Sequence, residues 1–164
     1  MRKILLICLF IVFSASGLMA EQPFGKCSNQ VLRGIYAISS SGWGPDLYQT
    51  PDKLVYFTSV AQVTYDGNGK GEGFIVANIG GVAMRATLSE NYNVNPDCTV
   101  NDELTADAVL PPGFPPIQFK NWQFLIMNPD GTEGVAMAVT PDLTNPMLPA
   151  PQIVSSTIRR ISRH

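Results

Sequence analysis

Histidine is nearly missing from this chain. His164 is the one residue of its type and the last in the sequence, which leaves no histidine for a catalytic triad, a histidine-rich metal site or a general base. Charge is also scarce, at 15% of residues, and the basic residues are scattered except for Arg159, Arg160 and Arg163. A nucleic-acid or anionic-membrane partner calls for a basic face, so neither is expected. The three cysteines, at positions 8, 27 and 98, form no Cys-x-x-Cys pair, which removes zinc-ribbon and thioredoxin-type readings. No apolar run reaches the roughly 20 residues of a membrane-spanning helix, so membrane insertion is not expected. No segment holds a sustained helical period.

What is present describes one β-rich domain: 164 residues, 45% of them hydrophobic, with 14 Gly and 13 Pro. Arg2 and Lys3, the unbroken apolar run Ile4 to Phe13 and the small-residue stretch Ser14 to Ala20 have the layout of a secretory signal peptide over residues 1–20. Residues 21–164 are then the mature domain, secreted or periplasmic. Loss of Arg2 and Lys3 takes the net charge from −2 to −4, and Cys27 and Cys98 become the only thiols. In an oxidising compartment they are expected to pair, closing a loop of about 70 residues for a contribution of about 4 kcal/mol on a chain-entropy account.

Runs rich in Val, Ile, Tyr, Phe and Thr at 31–39, 53–66, 71–79, 82–95, 99–110, 117–127, 132–140 and 152–162 read as eight strands. They are separated by turn signals such as Asp66-Gly67-Asn68-Gly69, Asn95-Pro96-Asp97 and Asn128-Pro129-Asp130-Gly131. Short links between successive strands predict an antiparallel up-and-down barrel, with a β-sandwich as the structural alternative. Two longer connections, Ser39 to Pro51 and Pro111 to Pro116, carry Trp43 between glycines and Phe114 between prolines. Both aromatics are therefore candidates for a barrel mouth.

Period-two counting turns Val82, Met84, Ala86, Leu88, Glu90, Tyr92 and Val94 inward. A three-residue loop of Pro96, Asp97 and Cys98, with Asn95 opposite Thr99, carries the same parity to Val100, Asp102, Leu104, Ala106 and Ala108. In the sixth strand the apolar set changes from Ile117 and Phe119 to Trp122, Phe124 and Ile126, predicting a bulge near Lys120 and Asn121. Tyr36 is expected to anchor the first strand from inside. Tyr65, next to an exposed turn, is expected to matter less.

The same parity makes Glu90 and Asp102 the candidate polar groups of the interior, as two carboxyls whose pKa values separate when buried together. Other motifs fall away. The loop from Asp66 begins like a calcium site, but it has Lys70 at its fifth position and Ala77 at its twelfth, so no metal is expected. No Gly-Lys-Ser/Thr follows the glycines, and no Gly-x-Ser-x-Gly occurs.

The segments Leu32-Arg33-Gly34-Ile35-Tyr36, Tyr65-Asp66-Gly67-Asn68-Gly69 and Tyr92-Asn93-Val94-Asn95-Pro96-Asp97-Cys98-Thr99, with a basic final strand, resemble a family of exported bacterial single-domain proteins marked by a Tyr-x-Val-Asn-x-Asp-Cys-Thr motif. That family's pattern usually continues with Gly-Thr, where this chain has Val100-Asn101. The predicted architecture resembles calycin-type barrels, the lipocalins and allene oxide cyclase-like proteins. The lipocalin resemblance implies that Tyr36 packs under a basic residue of the last strand, Arg159 or Arg160. Together these readings lead to a noncatalytic, cofactor-free protein binding a small, largely apolar ligand, with Trp43, Glu90, Tyr92, Asp102 and Phe114 as candidate ligand-binding residues. The alternatives are an allene oxide cyclase-like isomerase or cyclase, and a structural or cell-surface interaction module with a filled barrel.

Overall fold

The fold is taken from a computed structural model that describes residues 26–46, 53–109, 112, 117–141 and 153–163. The expected leader at 1–20 and the candidate Phe114 lie outside the described residues. A 3-10 turn at Asn29–Leu32 precedes eight strands: β1 Gly34–Pro45, β2 Leu54–Tyr65, β3 Lys70–Ile79, β4 Val82–Val94, β5 Thr99–Val109, β6 Ile117–Met127, β7 Glu133–Pro141 and β8 Ile153–Ser162. Each pairs antiparallel with the next, and β8 returns to β1, closing an up-and-down barrel. A closed ladder leaves no free sheet edge and excludes the sandwich.

Two of the hairpin turns are copies of one device. In Asn95-Pro96-Asp97-Cys98-Thr99 and Asn128-Pro129-Asp130-Gly131-Thr132 the aspartate Oδ1 accepts from the threonine N–H (3.1 and 3.0 Å) and hydroxyl (2.7 Å in both). The asparagine amide donates to the same threonine hydroxyl, at 2.9 and 2.8 Å. The fourth residue is left-handed in each, with φ of 66° at both Cys98 and Gly131. The first turn sets Val94 opposite Val100, the register that keeps even residues inward on both β4 and β5. Cys98 is bonded to Cys27 with a Cα separation of 5.1 Å, tying the segment before the barrel to this hairpin.

The turns lie at the end of the barrel that the 3-10 turn closes. Tyr36, fully buried, donates its hydroxyl to the Gly131 carbonyl at 2.6 Å and lies 3.2 Å from that of Val31. The Arg160 guanidinium lies 5.9 Å from the Tyr36 ring centroid and donates to the carbonyls of Val31 and Asp130. Arg159 instead points outward toward Glu133. Inside, Tyr36, Tyr65 and Tyr92 form an edge-to-face ladder with centroids 5.3 and 5.2 Å apart. With Leu32, Val63, Val100 and Leu125 they fill this half of the interior.

Three expectations need correction. The first strand starts at Gly34, because residues 29–32 form the 3-10 turn, and it runs on through Ser39–Pro45 in place of a loop. Its outward position 43 pairs with Tyr56, so Trp43 stands half exposed on the outer wall, edge-on to the Tyr56 ring at 5.6 Å. The bulge expected near Lys120 and Asn121 is absent from the β5–β6 ladder, which runs unbroken. Asn121, Leu125 and Met127 face inward and Trp122, Phe124 and Ile126 face solvent, while the register shift lies on the β7 side, at Trp122/Gln123.

Candidate functional site

The alternation of β4 and β5 brings Glu90 and Asp102 together inside the barrel. Across the hairpin Tyr92 pairs with Asp102 and Glu90 with Leu104, so the two carboxyls are diagonal neighbours on one face. Both are buried, and a hydrogen bond links them. The third member, Tyr65, comes from two strands away. Tyr65 on β2, Gly71 on β3 and Glu90 on β4 lie in one row, and the Tyr65 hydroxyl reaches Glu90 Oε2 at 2.6 Å. The reach depends on the missing side chain of Gly71, since a Cβ there would sit 2.8 Å from the Tyr65 ring.

Burial dominates the electrostatics. It pushes Asp102 well above the usual carboxylate range, and the charge of Glu90 and their shared hydrogen bond push it further. Burial raises Glu90 as well, against the opposing effect of the hydrogen bonds from Tyr65 and Asp102. A carboxylate only accepts, so the link between the two acids needs a proton. One proton shared between the two acids supplies it. Tyr65 is likewise held well above an ordinary phenol, by burial first and then by Glu90.

Two buried atoms of the interior have no hydrogen-bond partner among the described residues, Asp102 Oδ1 and the Ser59 hydroxyl. Orphaned buried polar atoms are rare, and each is a place for a bound water or ligand. Ser59 lies in a row of small inward residues formed by Ala136, Ser156, Ser40, Ser59 and Ala77, in which Ser40 and Ser156 bond each other at 2.8 Å. Ala61, Ala86, Ala106 and Ala108 continue this character. Beyond the tyrosines the interior mixes these small side chains with larger ones, among them Ile38, Phe57, Ile75, Met84, Leu88 and Ile158.

The five candidates therefore separate. Glu90 and Asp102 meet. Tyr92 is buried beside them but belongs to the floor: its hydroxyl lies 3.4 Å from both the Asn29 carbonyl and Asp66 Oδ1, and burial pushes its pKa to about 12. Trp43 is on the outer wall, and Phe114 is outside the described residues. Sequence reasoning missed Tyr65 and Ser59. Gly71, an inward glycine between Tyr65 and Glu90, was the available signal for the first. The Asp66 loop is an ordinary hairpin turn, with Asp66 Oδ1 accepting from the Asn68 and Lys70 amides at 2.6 and 3.0 Å. No three His, Cys, Asp or Glu side chains gather as metal ligands among the described residues.

The outer wall carries a second feature. Phe124, Ile126, Val135 and Met137 form an exposed apolar bank on β6 and β7, next to a low floor of Ser155, Thr157, Ser39 and Ser41 on β8 and β1. Bank and floor line a groove of about 700 Å³. Among the described residues no helix is long and apolar enough to cross a membrane. No protein-family model, curated protein sequence or solved structure matches this chain.

Proposed function

We propose that this protein is an exported, noncatalytic carrier that holds one small, largely apolar molecule inside the barrel, with its polar end at Asp102. The observation that carries the reading is Asp102 Oδ1, a buried acid oxygen without a partner at an inward position. The interior beyond the tyrosines, where Ala61, Ala77, Ala86 and Ala108 stand among Ile38, Ile75 and Leu88, offers apolar contact, the usual character of a small-molecule site. Support for export comes from the leader layout of residues 1–20 and from the Cys27–Cys98 bond, which persists in oxidising compartments. Exposed polar residues on the outer wall of β4 and β5, among them Arg85, Asn91, Asn93 and Asp107, favour a barrel that stays in water over one ringed by lipid.

Titration of the folded protein with N-phenylnaphthylamine, a neutral fluorescent probe, tests the reading. Saturable binding should weaken in Glu90→Gln and stay unchanged in Trp43→Ala, whose side chain is on the other side of the wall. Absence of saturable binding by the wild type, together with an interior packed solid with side chains, rejects the carrier.

A second reading, an interaction module, is favoured by the apolar bank. Four adjacent side chains between 37% and 61% exposed reach the few hundred Å² at which a surface patch is commonly functional. The occupant it fits is a second copy of this chain: a two-fold contact lays each bank on the other copy's serine floor and covers both features at once. Sedimentation equilibrium should then show a dimer that Met137→Lys dissociates. A wild-type monomer at all concentrations removes this reading.

A further inference from the structure

The hydrogen-bonding capacity of the acid cluster constrains what a ligand can present to it. Resting on the carrier reading, we infer that the molecule held in the barrel carries a hydrogen-bond donor at its polar end, an alcohol or amine group, and is not a carboxylate. Two protons are available within the trio, and both are committed. The Tyr65 hydroxyl donates to Glu90 Oε2 at 2.6 Å, and the link between the two carboxyls takes up one proton whichever of them holds it. What remains is Asp102 Oδ1, buried, inward and without a partner. In either case that oxygen offers only an acceptor.

The strand neighbour best placed to supply a donor is turned elsewhere. Tyr92, opposite Asp102 on β4, directs its hydroxyl to the Asn29 carbonyl and Asp66 in the floor. Ser59, the other unpartnered group, is a hydroxyl that donates or accepts and so accommodates either kind of ligand. Selection therefore falls to Asp102. A ligand carboxylate would set acceptor against acceptor and bring a further negative charge beside Glu90 in a site that already disfavours charge. A hydroxyl or amine of the same chain length completes the network instead. Sites built to bond a polar group discriminate strongly against analogues that leave it unsatisfied.

Displacement of N-phenylnaphthylamine by octanol, octylamine and octanoate tests the inference, since the three competitors share one apolar chain and differ at the head. The alcohol and amine should displace the probe at concentrations at least about tenfold below the carboxylate, the weight of one hydrogen bond to a buried acceptor. Asp102→Leu should abolish that preference. Asp102→Asn, which keeps a carbonyl oxygen and an N–H for Glu90, should restore it, with circular dichroism verifying that each variant folds. Probe binding with octanoate equal to or better than octanol overturns the inference and leaves the carrier standing, as does a preference that survives in Asp102→Leu. Failure of the wild type to bind the probe at all rejects the carrier and the inference with it.

Discussion

Cys98 and Gly131 occupy the same left-handed position, φ 66°, in two copies of an Asn-Pro-Asp-x-Thr turn, yet only one of the two positions tolerates a side chain. At residue 98 the side chain is the disulfide sulfur. At residue 131 a Cβ would fall on the Val31 carbonyl oxygen, where the β6–β7 turn meets the 3-10 turn and accepts the Tyr36 hydroxyl. Gly131→Ala therefore combines a left-handed penalty with a backbone clash. It should lower stability by roughly 1–3 kcal/mol, read as a shift in urea midpoint at constant slope. A variant as stable as wild type would show that the base repacks freely.

The Cys27–Cys98 bond closes a loop with a sequence separation of 71. Its loss should cost about 4 kcal/mol on the chain-entropy account, through the unfolded state. Intact-mass analysis of protein from an oxidising compartment should show a gain of two hydrogens on reduction. Two thiols that alkylate without reductant would contradict the bond.

Tyr65 is expected to matter less than Tyr36, but the structure puts the two on a par: Tyr65 is 2% exposed, central in the aromatic ladder, and a donor to Glu90. Tyr36→Ala and Tyr65→Ala should each destabilise the protein by about 3–5 kcal/mol, as buried aromatics do. Tyr65→Phe keeps the ring and removes one donor from a buried carboxyl. It should cost about 1–3 kcal/mol by the same urea measurement. A negligible effect of Tyr65→Phe would remove Tyr65 from the cluster.

What the sequence could and could not convey follows from the physics of alternation. Where strands alternate cleanly, as at Val82–Val94 and Thr99–Val109, period-two counting and turn chemistry placed Glu90 and Asp102 on the same face, and the structure joins them. It failed where apolar residues stand on the outer wall. Trp122, Phe124 and Ile126 look like core by hydrophobicity, and only the β5 ladder shows that Asn121, Leu125 and Met127 hold the inward positions. Trp43 failed for a related reason: its flanking glycines read as loop, yet they extend β1. Tyr65 reaches Glu90 over Gly71 on the strand between them, a relation spanning three strands that no local pattern encodes.

The acid pair makes a prediction about pH whose sign is opposite to that of an ordinary salt-bridged carboxylate. An ordinary aspartate titrates near 3.8 and an ordinary glutamate near 4.5, and burial raises both Asp102 and Glu90 in the folded protein. Below about pH 4 folded and unfolded chains hold these protons alike, and the pair's contribution to stability is fully present. As the pH rises, the unfolded chain releases its protons first while the folded chain retains them. Unfolding then releases protons, and stability falls until the folded-state values are passed. Asp66, Asp97 and Asp130, held below the usual range by hydrogen bonds in their turns, act in the other direction, but they are exposed and screened by solvent. Urea midpoints measured from about pH 4 to pH 8 should therefore decline for the wild type and decline less for Asp102→Asn, which keeps the volume and the donor to Glu90 without an ionisable group. At neutral pH that variant should be more stable than wild type by about 1–3 kcal/mol, the scale on which a buried ionisable group opposes folding. A wild-type midpoint that climbs over this range, or an Asp102→Asn profile parallel to it, would mean that the two acids are not buried together in the folded barrel.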